Sequence, residues 1–128
     1  MKEVLINQLD DQDFNNIELL RSLGIKRTVA HVIIYMANKE KKISKDIEIA
    51  TGLRQPQVSL AMRQLRKNSW VEEEYAKKIK GMKGRPRKIY NLNISINEIL
   101  DKLTIKKYDE YMKAINTIEN LKFNLFRS

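Results

Sequence analysis

Gly52 and Pro56 stand four residues apart between two short amphipathic segments, and this punctuation leaves the middle of the chain few ways to fold. Glycine ends a helix by entering the left-handed conformation, and proline is accepted in the first turn of the next, where its missing amide proton has no partner to lose. The first segment, residues 43–52, offers Ser44 as an acceptor for first-turn amides, Asp46 near the positive helix end, and Ile47, Ile49 and Ala50 as apolar cover. The second, residues 55–67, puts Val58, Ala61, Met62 and Leu65 on one face, with Asn68 expected as a left-handed cap. Two helices joined by a tight turn through Leu53 and Arg54 make a helix-turn-helix pattern, whose second helix is shaped to enter a major groove.

The opposite face of that second helix carries Gln57, Ser59, Leu60, Arg63, Gln64 and Lys67, with Arg54 and Gln55 at its start, a set rich in groups that reach base edges and phosphates. Charge agrees. Lys and Arg number 25 against 16 Asp and Glu, a net +9, made up of −4 in residues 1–20, +12 in residues 21–90 and +1 in residues 91–128. An excess concentrated in one segment favours a polyanionic partner over mere solubility.

Several classes drop out. A chain of 128 residues has room for one domain and an added arm. Without cysteine there is no disulfide or thiolate metal site, and His31 alone makes no histidine cluster. The acids Asp10, Asp11, Asp13 and Glu72 to Glu74 have no His or Cys to partner them in acid and base catalysis, so no enzyme, cofactor or metal is expected. His31 itself reads as a satisfied helix residue beside core positions. The longest apolar runs, such as residues 32–36, fall far short of the ~20 residues of a membrane span, and the expectation is a cytoplasmic protein.

Residues 1–11 show no clear period and are left open. Residues 12–23 have Phe14, Ile17, Leu20 and Arg21 at helical spacing before Gly24, and residues 26–38 put Val29, Val32, Ile33 and Met36 on one face. Residues 39–42 read as a polar connector. Residues 70–76 and 88–92 alternate as strands, and between them KKIKGMKGRPRK holds seven cations in twelve residues around two glycines and a proline. A basic hairpin tip directly behind a recognition helix is a wing, with Lys78, Lys80, Lys83, Arg85, Arg87 and Lys88 as its candidate DNA contacts. Residues 95–126 turn helical again, with Leu103, Tyr108, Tyr111, Met112, Ile115, Ile118, Leu121 and Leu125 among the apolar positions. Such a helix, ~48 Å long, outruns the core. Its stripe has two readings, pairing with a second chain or folding back on its own domain.

The text LLRSLGIKRTVAHVIIYM, then ISKDIEIATGLRQPQVSLAMRQLRKNSWVEEE, then KGMKGRPRKIYNL, within residues 19–92, resembles an archaeal winged-helix transcription regulator of the broad MarR/TrmB-like group. The resemblance implies a mainly α fold with a small β-hairpin (α+β), a winged helix-turn-helix domain over residues 1–94, and a long C-terminal dimerisation helix over 95–128. It implies double-stranded DNA and a second copy of the chain as partners, with no effector ligand indicated. The alternative is a nucleoid-type architectural DNA-binding protein with little sequence preference. Two positions depart from the group. Leu60 stands where Arg is common, and an apolar side chain there meets only a thymine methyl or the backbone, which would favour A·T pairs. Asn68 replaces the more usual Gly before the strand. Lys83, Gly84, Arg85 and Pro86 also reproduce the core of an AT-hook, a minor-groove motif, or form a basic Gly-Pro turn; both readings put Arg85 near the minor groove.

Overall fold

The computed structural model describes residues 9–37, 41–75 and 88–127. Among them the order is α1 (Asp11–Ser22), α2 (Arg27–Ala37), β1 (Lys41–Ile43), α3 (Ser44–Thr51), α4 (Gln55–Lys67), β2 (Val71–Tyr75), β3 (Lys88–Leu92) and α5 (Ile96–Phe126). The chain divides into two compact units, Met1–Ile94 and Ser95–Ser128. The fold is mainly α with a small antiparallel sheet.

Each helix has a local reason for its ends. The Asp10 carboxylate accepts the Asp13 amide at 2.8 Å while Asp13 accepts the Asp10 amide at 3.0 Å, a reciprocal cap that opens α1. The helix closes on Gly24 at φ 93°, where the Gly24 and Ile25 amides return to the carbonyls of Arg21 and Leu20. In α2 seven of eleven residues are buried, Val29, Val32, Ile33 and Met36 among them. His31, 5% exposed, meets the Arg27 carbonyl through Nδ1 at 2.7 Å and packs edge-on to Phe14. It is a satisfied helix histidine, as expected.

Ile17 and Leu20 of α1, Ile47 and Ala50 of α3, and Leu53 of the turn join the buried side chains of α2 and α4 in the core. Ile49 does not; it is exposed, on the outer side of α3. Nor does Ser44 cap that helix. The extended residue before α3 is Ile43, so Ser44 is already helical, and its hydroxyl is buried with no hydrogen-bond partner among the described residues.

The expected hairpin of β2 and β3 is present, and β1 adds an edge strand to it, giving the order β1-β3-β2 with both pairs antiparallel. Lys41, Lys42 and Ile43 pair with Asn91, Tyr90 and Ile89, so part of the supposed connector is an edge strand. Two lysines in three residues hide it from any pattern search and suit an edge, where charge discourages further strand pairing. On the other side Glu73 faces Tyr90 and Tyr75 faces Lys88.

The second unit is α5, 31 residues and so ~46 Å long, capped by Ser95, whose Oγ accepts the Glu98 amide at 3.1 Å. Its buried residues are Ile99 and Leu103. Among the described residues no helix is long and apolar enough to cross a membrane.

Candidate nucleic-acid interface

The turn between α3 and α4 is fixed by Thr51. Its hydroxyl donates to the Ile47 carbonyl at 2.6 Å and accepts the Leu53 amide at 3.2 Å, which satisfies groups that the helix end leaves open. Gly52 then takes φ 74°, and a Cβ there would meet no atom within 4 Å, so glycine is required by backbone angle and not by space. Leu53 follows into the core.

α4 is cleanly two-faced. Val58, Ala61, Met62 and Leu65 are buried, and the middle of the opposite face is the row Pro56, Leu60, Arg63 and Lys67. Leu60 is 60% exposed. Gln57 and Gln64 flank the row on one side, Gln55, Ser59 and Arg66 on the other, and the helix contains no acid. Seven of the eight candidates therefore lie on or beside one outward surface, Arg54 being the exposed residue that precedes the helix, but not all are free of internal work. Gln57 Oε1 accepts the Arg54 amide at 2.9 Å and so helps start the helix, and Gln55 Nε2 donates to Ser59 Oγ at 2.7 Å.

At its far end α4 closes with the amides of Ser69 and Trp70 returning to the carbonyls of Arg66 and Leu65. Asn68 remains right-handed at φ −84°; the left-handed residue is Ser69, φ 62°. The expected cap thus sits one residue later than the sequence suggests, because the paired return bonds fix the left-handed site two residues past the last helical one. Asn93 fastens the base of β3 to this turn, its amide donating to the Trp70 carbonyl at 2.7 Å and its side chain to that of Ser69 at 3.3 Å.

Glu73 ties helix to sheet. Only 12% of its side chain is exposed, and its two oxygens take Arg66 of α4 and, at 3.1 Å, the Lys88 ammonium of β3. The hydrogen bond from Lys88 to Glu73, with their charge attraction, raises the Lys88 pKa above its ordinary value. Tyr90 beside them is also raised, first by burial and then by the Glu73 charge. Lys88 is therefore placed near α4 but with its charge already engaged. Arg66 and Glu73 escaped sequence reasoning because no helical or strand period relates residues seven apart across a turn, and Glu73 reads there as one of three exposed acids. Thr51 carried no sequence signal beyond its place before glycine.

The wing candidates Lys78, Lys80, Lys83, Arg85 and Arg87, with the AT-hook text, lie outside the described residues. Of the pairing candidates on α5, Leu103 is 7% exposed in the single chain. Tyr108, Tyr111, Met112, Ile118, Leu121 and Leu125 are exposed and Ile115 half-buried.

No protein-family model and no curated protein matches the sequence. Solved structures do. The archaeal chromatin protein TrmBL2, whose structure shows a novel mode of DNA binding, is similar at TM-score 0.67 and 13% identity over 88% of this chain and 41% of its own. The chain thus spans less than half the length of TrmBL2. A possible transcriptional regulator from Methanosarcina mazei Go1 follows at TM-score 0.57 and 14% identity, over 81% of this chain and 87% of that one. A MarR-family transcriptional regulator from Silicibacter pomeroyi gives TM-score 0.54 and 14% identity, over 90% and 82%. At these identities the likeness is one of architecture, and the chain has the winged-helix fold that such regulators share.

Proposed function

We propose that the chain is a sequence-reading regulator of transcription that binds double-stranded DNA as a homodimer, with α4 in the major groove. The observation that carries this is the two-faced α4: an acid-free outward surface with Leu60, Arg63, Gln64 and Lys67 exposed, on a helix whose other face is locked into the core. Base-edge readers and phosphate partners on a rigid helix suit direct readout, and the net +12 of residues 21–90 supplies the sequence-independent attraction. The cations of residues 77–88 belong to that charge and are proposed to lie at the neighbouring minor groove. Transcriptional regulators share this fold, which supports the same assignment.

The homodimer rests on α5. Beyond residue 104 the helix buries no side chain in the single chain, yet it keeps Ile105, Tyr108, Tyr111 and Ile118 exposed, a length of apolar surface that a second copy would cover. Tyr108, Tyr111, Met112, Ile115 and Ile118 share one face, interrupted by the Glu119 and Lys122 ion pair.

A second reading has one observation in its favour. The likeness to TrmBL2, a chromatin protein, suits an architectural role with little sequence preference. Selection of bound duplexes from a random library separates the two. An enriched, two-fold repeated site supports the regulator; tight binding with no enrichment supports the architectural protein; no retention of duplex overturns both.

A further inference from the structure

The middle of the outward row on α4 is apolar. Leu60, 60% exposed, has Pro56 one turn before it and Arg63 and Lys67 one and two turns after. The fold gives no reason for a leucine there, since the buried face of α4 is the opposite one and an exposed polar residue would leave the core unchanged. The neighbouring polar groups are partly committed, Gln55 to Ser59 and Gln57 to the Arg54 amide. What α4 presents at its centre is thus a branched hydrocarbon with no donor or acceptor, followed along the row by two cations.

In the major groove the apolar feature of the base pairs is the C5 methyl of thymine. We infer, resting on the placement of α4 in that groove, that Leu60 is a specificity-determining residue that packs on a thymine methyl, while Arg63 and Lys67 hold the adjoining base edge and phosphate. Contact between the two apolar groups removes both from water, and the gain scales with the area covered. Its sign is fixed by chemistry: where thymine carries a methyl at C5 cytosine carries only a hydrogen, so a C·G pair gives Leu60 less apolar surface to cover and the pair under Leu60 is A·T.

The test removes the methyl and nothing else. On the duplex enriched by selection, each thymine is replaced in turn by deoxyuridine, which pairs identically but lacks the methyl, and binding is titrated for the wild type, Leu60→Ala and Leu60→Met. In each half-site one replacement should weaken the wild type about three- to fivefold, as expected for one buried methyl. Leu60→Ala should bind the two duplexes alike, and Leu60→Met, which keeps an apolar contact, should retain part of the penalty. Thermal melting should be the same for all three proteins, because the side chain is exposed. Equal wild-type affinity for every deoxyuridine duplex, or a penalty that persists undiminished in Leu60→Ala, overturns the inference while leaving DNA binding intact. Tight binding without enrichment of any sequence overturns it as well, since a methyl reader must favour thymine. Failure to bind duplex at all overturns the DNA-binding assignment first.

Discussion

Lys88 on β3 and Glu73 on β2 form an ion pair of 3.1 Å across a diagonal two residues off direct register, and Arg66 at the end of α4 takes the other oxygen of the same carboxylate. Glu73→Gln should lower stability by releasing both cations. The pH dependence follows from the raised Lys88 pKa: the Lys88 share is full below its unfolded value of 10.5 and is lost as pH rises through the higher folded value. The Arg66 share persists, since a guanidinium keeps its proton. Urea midpoints of wild type and variant should therefore differ at pH 8 and converge in part above pH 11; a constant difference would contradict this assignment.

Ser69 adopts a left-handed conformation that costs a residue with a side chain about 1–2 kcal/mol. Ser69→Gly should stabilise the chain by about 1 kcal/mol, read from the urea midpoint at unchanged slope. A loss of stability would mean that the Ser69 side chain holds something the backbone bonds do not show.

Gln57 and Arg63 should separate under substitution. Gln57 receives the Arg54 amide, so Gln57→Ala should cost about 1 kcal/mol of stability by undoing a helix start. Arg63 is exposed, and Arg63→Ala should leave the melting midpoint where it is. Circular dichroism melts of the two variants decide the matter.

Removing residues 105–128 should yield a monomer by light scattering. The cut keeps Ile99 and Leu103, the buried residues of α5, and takes no buried residue among those described. A truncated protein that stays dimeric would move the interface elsewhere, residues 1–23 first.

The helices were legible because each carries its own local code: the apolar face of α4, the glycines after α1 and α3, the proline that opens α4. β1 was not, since Lys41–Ile43 becomes a strand only by pairing with β3, almost fifty residues on, and has no pattern of its own. The recognition face was legible for the same reason as the helix. What the sequence concealed was commitment: Gln57 spent on a cap, Lys88 on Glu73, Leu103 on burial. Such engagements depend on three-dimensional neighbours, and composition alone cannot separate an engaged cation from a free one. The left-handed residue after α4 was misplaced by one position because Asn is the better left-handed residue by propensity, whereas the return hydrogen bonds of the helix end select Ser69.

Salt dependence should be steep. With about eight phosphates neutralised per dimer, log affinity against log salt should fall with a slope of roughly −7. A slope shallower than about −2 would remove nucleic acid as the main partner.

The most direct test of sequence reading by α4 is a binding titration of wild type and Arg63→Ala on the selected duplex and on one with its central pairs exchanged. Arg63 offers two parallel donors that match guanine, so Arg63→Ala should lose about 1–3 kcal/mol on the selected duplex and far less on the exchanged one, narrowing the preference between them. Equal weakening on both duplexes would show that Arg63 meets only phosphate, and would contradict the account of α4 as the helix that reads sequence.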